Sequence, residues 1–275
     1  MSKDLFDLEN KVIAVTGGAG LLGQQHIEAI SSVGGKAIML DVNEAAIDNA
    51  CKALAEKGIS HIPSYQVDIT CEQSIQSTVK AILQDHGKIT GLVNNAAINP
   101  KMESSDKVEF SRLEHFPVDQ WQTELDVGLK GAFLSTKHFG SAMVAGGEGG
   151  VIVNISSDLG VMAPDQRLYE QQGLPPDQQP VKPVTYSVIK SGLIGLSRYV
   201  STYWTQHNIR CNTMCPGGVE NGQPQAFLDN IATRIPMGRM AQKDEYQGTL
   251  IWMLSDASSY LNGAVINVDG GRTTW

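Results

Sequence analysis

The chain has 275 residues, with 29 acidic against 21 basic side chains and a formal net charge of −8. That balance excludes the basic stripe with which a nucleic-acid surface replaces counterions, and it leaves small-molecule chemistry as the expectation. No apolar stretch approaches the roughly 20 residues that span a bilayer, and the opening MSKDLFDLEN has no signal-peptide core, so a cytoplasmic protein with no membrane partner is expected.

The first apolar run is VIAV, residues 12–15, followed by TGGAGLLG, residues 16–23. A glycine-rich turn between strand and helix is either an ordinary tight turn or a site where backbone N–H groups meet a pyrophosphate on the positive end of the helix. In the helix that follows, Leu22, His26, Ala29 and Val33 share a face. The run AIML, residues 37–40, ends at Asp41, 24 residues after Gly17. A carboxylate there is either a turn or cap aspartate or a partner of both ribose hydroxyls of NAD, repelling the extra phosphate of NADP; the glycine turn upstream favours the ribose.

Further along, Ile47, Cys51 and Leu54 mark one helical face and Ile75, Val79 and Ile82 another. The runs GLVNNAA (91–97), VIVNIS (151–156), a stretch near 208–214 and AVINV (264–268) read as strands. Unalternated runs suit strands buried on both faces. Their alternation with helices predicts an α/β fold, a doubly wound parallel sheet in a single domain over 1–275, with its ligand crevice at the carboxyl ends of the strands. Cys51, Cys71, Cys211 and Cys215 are scattered and read as reduced thiols, with no metal site.

In YSVIK, Tyr186 and Lys190 are four apart and share a helical face, while Ile189, Leu193, Leu196 and Val200 form the apolar stripe. The pair is either an exposed helical pair or projects into a cleft. An ammonium about 4 Å from a phenol, at an effective dielectric near 20, favours phenolate by roughly 4 kcal/mol, or about 3 pKa units before solvent screening. Tyr186 then serves as acid or base for a carbinol proton.

In order along the chain stand TGGAGLLG, NNAA (94–97), NISS (154–157), YSVIK (186–190), PGG (216–218) and NVDGG (267–271). This ordered set resembles the short-chain dehydrogenase/reductase family over nearly the whole chain. The resemblance implies a Rossmann-type sheet of about seven strands, an NAD(H) cofactor and a homo-oligomer, tetramer or dimer. It implies Ser157, Tyr186 and Lys190 as the catalytic set, with Ser156 the lesser alternative to Ser157, and hydride exchange with the nicotinamide. It places Gly17, Gly20, Leu22 and Gly23 at the pyrophosphate, Asp41 at the ribose, and Asp68 with Ile69 beside the adenine. Asn94 and Ala96 would line the crevice. Tyr186 and Lys190 would lie at the nicotinamide ribose, and Pro216, Gly217 and Val219 over the nicotinamide.

The sequence departs from the family in several places. Gly17, Gly20 and Gly23 follow the T-G-x-x-G-x-x-G spacing of the family's extended branch, with Leu21 where most members of this length carry a glycine. The stretch VGLKG has Gly128 where those members carry a catalytic asparagine. A mid-helix glycine lowers helix stability by roughly 1 kcal/mol relative to alanine, which points to close packing or a local bulge. Asn221 replaces a threonine of the P-G-x-x-x-T stretch.

Ser157 and Tyr186 are 29 positions apart, more than twice the family's usual separation. The insert, about 160–184, contains five prolines and five glutamines within 164–183, a composition that resists regular structure yet stiffens a loop. A long connection of this kind reads as a substrate lid. Asp158, Arg167, Tyr169, Gln178 and Lys182, with Ser157, would meet a polar substrate. The lid's own net charge of −1, from Asp165, Glu170 and Asp177 against Arg167 and Lys182, makes an anionic substrate only one option. The stretch 98–120 reads as a second long loop deepening the cleft.

These features point to an NAD(H)-dependent oxidoreductase of a secondary alcohol or ketone on a small polar substrate such as a sugar, sugar acid or activated sugar. The pattern with its proline-rich insert is similar to bacterial family members associated with surface-glycan pathways. A 3-oxoacyl reductase of lipid synthesis and a catalytically silent NAD-binding sensor are the alternatives.

Overall fold

The computed structural model describes residues 5–98 and 111–275. Strands and helices alternate as β1 (Val12–Thr16), α1 (Leu21–Ser32), β2 (Lys36–Asp41), α2 (Glu44–Glu56), β3 (Ser64–Gln66), α3 (Glu72–His86) and β4 (Gly91–Asn94). After the undescribed residues come α4 (Val118–Leu125), α5 (Gly131–Gly146), β5 (Gly150–Ile155), α6 (Val184–Tyr203), β6 (Ile209–Pro216), α7 (Gln225–Ala232), α8 (Gln247–Leu254) and β7 (Val265–Val268). Most of residues 98–120, the second long loop expected from the sequence, falls outside the described residues.

The seven strands form one parallel sheet in the order β3-β2-β1-β4-β5-β6-β7. Successive residues of each strand feed opposite faces. Ile13, Val15, Met39, Val93 and Val153 pack against Ile27 and Ile30 of α1 and Leu250 and Met253 of α8. Ala14, Ile38, Leu92 and Ile152 pack on the other side against Ile75 and Ile82 of α3, Phe139 of α5 and Val200 of α6. Both faces are covered, which is why the strands read as unbroken apolar runs.

The strand order reverses between β1 and β4, each hydrogen-bonded to the other, and a crevice opens there at the carboxyl ends of the strands. β3 was not among the runs marked in the sequence: its three residues, SYQ, lie at the sheet edge, and Ser64 and Gln66 are exposed. Among the described residues, no helix is long and apolar enough to cross a membrane.

Candidate active site

A cavity of about 1400 Å³ runs along the carboxyl ends of the strands, from Gly17, Gly20 and Asp41 at one end to Ser157, Tyr186 and Lys190 at the other. Its first wall is the glycine turn. Gly17 has φ +60°, and a Cβ there would lie 2.8 Å from the Ala96 Cα, so only glycine lets the turn close onto the end of β4. Gly23 faces the turn from inside α1, where a Cβ would fall 2.1 Å from the Gly17 carbonyl oxygen. Gly23 therefore seats the helix on the turn and does not line the cavity, whereas Gly20 and Leu22 do. Gly20 stands at the N-cap of α1, whose free N–H groups form an anion-binding end.

Asp41 ends β2 on the cavity wall. Its carboxylate accepts from the backbone N–H of Ala19 and of Asn43, each at 3.2 Å, while the cap of α2 is Asn43. Asp41 thus shapes the turn and faces the cavity together. Asp68 and Ile69 line the same end, with one Asp68 oxygen engaged by the Thr70 N–H and hydroxyl. Among the described residues, the cations lining the cavity are Lys182, Lys190 and Arg272, all at the opposite end. The glycine cradle, the helix N-terminus and the facing carboxylate fit a dinucleotide.

One expected nucleotide contact is corrected. Asn94 is buried, and its amide donates to Thr136 Oγ1 at 3.0 Å and to Asn154 Oδ1 at 2.7 Å. Asn154 donates in turn to Ser197, which receives the Thr213 hydroxyl. This chain of polar groups ties β4, β5 and β6 to α5 and α6 below the crevice, as buried polar groups require partners. The neighbouring Asn95 is the asparagine on the wall: its amide donates to the carbonyls of Thr16 and Gly17, both at 3.0 Å. Ala96 lines the cavity beside it, as do Pro216 at the end of β6 and Gly217 and Val219 after it.

At the other end, the turn after β5 and the first two turns of α6 bring three groups together. Ser156 turns away, its hydroxyl donating to the Lys190 carbonyl at 2.7 Å, which leaves Ser157 beside Tyr186. Burial and the Asp158 charge push the Tyr186 phenol up, and the neighbouring Ser157 hydroxyl opposes them. Lys190 is 5 % exposed, so the pair is no solvated helical pair; burial pulls its ammonium down to about 8. Its Nζ donates to the Ile155 carbonyl at 2.8 Å and lies 5.7 Å from the Tyr186 ring centre.

Ser157 also caps a short 3-10 turn, Asp158–Gly160, accepting from the Leu159 N–H. Its hydroxyl proton goes to Asp158 Oδ1 at 2.7 Å. Asp158 is held in turn by Arg272, whose Nη1 lies 2.7 Å from Oδ2, with both side chains nearly inaccessible. Arg272 was missed in the sequence because 114 positions separate the partners; the available signal was an arginine directly after the glycine pair of NVDGG.

The glycine at 128 shows both expected features. Residues Asp126–Lys130 form a π-helical turn between α4 and α5, and a Cβ on Gly128 would lie 2.6 Å from Ile189 Cγ2. The residue lets α6, with Tyr186 and Lys190, pack close.

The insert folds into two more 3-10 turns, Gln166–Tyr169 and Pro176–Gln178. Leu168 packs with Ile231, Ile235 and Met240, and Tyr169 tilts against Phe227 of α7 with ring centres 6.1 Å apart. Asp165 pairs with Arg234 at 2.7 Å, and the Gln179 amide donates to the carbonyls of Gln171 and Leu174. Tyr169 and Lys182 line the cavity. Arg167 does not: it is largely exposed and bonded to Asp165, a correction to its expected place at the substrate. Gln178 is exposed and likewise absent from the wall.

A family model described as short chain dehydrogenase matches residues 11–169, and one described as Enoyl-(Acyl carrier protein) reductase matches residues 178–273. The chain is 28 % identical over 274 residues to a 2,5-dichloro-2,5-cyclohexadiene-1,4-diol dehydrogenase of Sphingobium indicum, covering 97 % of this chain and 98 % of the other. It is also 28 % identical to an NAD-dependent glycerol dehydrogenase of Listeria innocua, covering 98 % and 96 %. Among solved structures, a gluconate 5-dehydrogenase from Burkholderia cenocepacia in complex with NADP and tartrate superposes with a TM-score of 0.84 at 25 % identity, over 99 % and 98 % of the two chains. With its doubly wound sheet, its glycine turn and its Ser157, Tyr186 and Lys190 at one end of the crevice, the chain belongs to the short-chain dehydrogenase/reductase family.

Proposed function

We propose that this protein is an NAD(H)-dependent dehydrogenase of a secondary alcohol on a small, polar, hydroxylated substrate such as a polyol or sugar acid. The observation that carries the reading is the convergence of Ser157, Tyr186 and Lys190 at one end of a cavity whose other end presents Asp41. A bound nicotinamide supplies the hydride acceptor. Tyr186, as phenolate, takes the hydroxyl proton while the hydride leaves the same carbon and the carbonyl forms. Ser157, whose hydroxyl proton rests on Asp158 and can rotate toward the substrate oxygen, donates to that oxygen as the carbonyl forms. Lys190 holds positive charge beside the phenolate.

Asp41 supports NAD over NADP, because a 2′-phosphate would meet its carboxylate with no lining cation at that end among the described residues. The same feature weighs against an NADPH-dependent 3-oxoacyl reductase. The similarity to diol and glycerol dehydrogenases, and to a gluconate 5-dehydrogenase in complex with NADP and tartrate, supports a polar hydroxylated substrate. The reading includes assembly as a homo-oligomer, tetramer or dimer.

The test is a screen of polyols and sugar acids with NAD⁺, followed by Tyr186→Phe. The variant is expected to keep cofactor affinity and lose turnover by several orders of magnitude. Full turnover in Tyr186→Phe would overturn the assignment, and cofactor binding without turnover of any alcohol in the wild type would favour the sensor.

A further inference from the structure

The ammonium nearest the face of Tyr186 is not that of Lys190. Lys182 Nζ stands 3.9 Å from the centre of the Tyr186 ring, against 5.7 Å for Lys190. Lys182 belongs to the insert, and the insert fixes where it sits. It lies between Pro180 and Pro183; a residue before proline is confined to extended backbone, and each ring fixes its own φ. The Lys182 N–H donates to Gln166 Oε1 at 2.8 Å, and the Val181 N–H donates to Ser111 Oγ at 3.1 Å. Arg112 grips the insert from the other side through the Pro176 carbonyl at 3.1 Å. Together these hold the ammonium over the ring.

We propose that Lys182 is a positioning residue for Tyr186: an ammonium delivered by the insert that favours the phenolate, so that docking of the insert arms the base. A cation over an aromatic face is attracted to the ring, and more strongly once the ring bears a phenolate charge. The groups facing this pair come from every neighbouring element. Lys190 lies on α6 itself, Ser157 and Asp158 on the turn after β5, and Glu124 on α4, bonded to Thr185. Tyr169 comes from the insert, Tyr246 from the start of α8 and Arg272 from the C-terminal turn. Asp158 and Glu124 keep Lys182 cationic against the burial that draws it down to about 8. Tyr186, Lys182 and Lys190 therefore titrate as a coupled set whose midpoints belong to the cluster.

The inference presumes the role of Tyr186 in the proposed function, but its test needs no turnover. Phenolate absorbance is titrated in the full chain and in Tyr186→Phe, with and without saturating NAD⁺; the difference isolates Tyr186. The titration is repeated with Lys182→Met and Lys182→Arg, each checked by urea unfolding. In the NAD⁺ complex, where the nicotinamide charge brings the phenol toward the range in which Lys182 is cationic, Lys182→Met is expected to raise the Tyr186 midpoint by about one pH unit or more, and Lys182→Arg to restore most of the shift. Gln166→Ala, which removes the backbone anchor of Lys182, should give a smaller rise. An unmoved midpoint in a folded Lys182→Met protein would overturn the proposal. Once a substrate is known, a rise in KM alone, with the pH profile of kcat/KM unmoved, would overturn it too and make Lys182 a substrate contact.

Discussion

Replacing Arg272 by methionine should cost the fold about 3 kcal/mol, far more than the loss of an ordinary surface ion pair. Asp158 and Arg272 are 3 % and 6 % exposed and 2.7 Å apart. Removing one partner of a buried pair costs about 3–5 kcal/mol, because it strands the other charge away from water. The lower end applies here, since Asp158 retains the Ser157 hydroxyl and the Leu159 N–H at 2.7 and 2.8 Å. At 25 °C that is more than a hundredfold in the folding equilibrium. The assay is urea unfolding at one fixed protein concentration and pH, because any self-association would contribute to apparent stability. Asp158→Asn combined with Arg272→Met removes the stranded charge and should recover more than half of the loss. A single-variant cost below about 1 kcal/mol, the range of exposed pairs, would refute the account of this pair as a buried support for Ser157.

His26 is fully buried, and among the described residues neither ring nitrogen has a hydrogen-bond partner of ordinary geometry; Asn95, the polar side chain that approaches it, gives its amide to Thr16 and Gly17. Burial pulls His26 down to about 4, so between pH 6.5 and 4 the unfolded chain binds the extra proton. Stability should fall by about 3 kcal/mol as pH drops through that window, and comparing urea titrations of wild type and His26→Leu should show the slope removed by the substitution. Gly128→Ala should destabilise by up to about 2 kcal/mol, since overpacking against Ile189 costs about 1–3 kcal/mol and better helix propensity returns about 1; thermal melts should show Ile189→Ala relieving part of it in the double variant. Gly17→Ala, strained at φ +60° and pressed on the Ala96 backbone, should weaken NAD⁺ binding by at least tenfold in calorimetry and also lower the melting temperature.

The sheet was legible because both of its faces are covered: four- and five-residue apolar runs such as VIAV can hardly be anything else between amphipathic helices. β3 escaped because an exposed edge strand of three residues carries no such run. Tyr186 and Lys190 were legible through local spacing, since a four-residue helical step brings them to one face, whereas Ser157 was legible only through the resemblance carried by NISS. Arg272, by contrast, reaches Asp158 only because β7 ends next to β6, a tertiary fact without local signature. Asn94 and Asn95 were indistinguishable as letters. Which one faces the crevice depends on where β4 ends, and the strand runs through Asn94, turning its amide into the core. The insert's stiffness was readable from its prolines. The outward turn of Arg167 was not, because its preference for Asp165 over the cavity is settled by how the insert docks on α7.

On the proposed function, the crevice takes a dinucleotide with its ribose at Asp41 and its nicotinamide at Tyr186. Calorimetric titration with NAD⁺, NADH, NADP⁺ and NADPH, repeated on Asp41→Ala, tests it most directly. The account predicts binding of NAD⁺ and NADH in clear preference to the phosphorylated pair, with the preference collapsing in Asp41→Ala. Binding of none of the four, or a preference for NADP(H) that Asp41→Ala leaves unchanged, would contradict it.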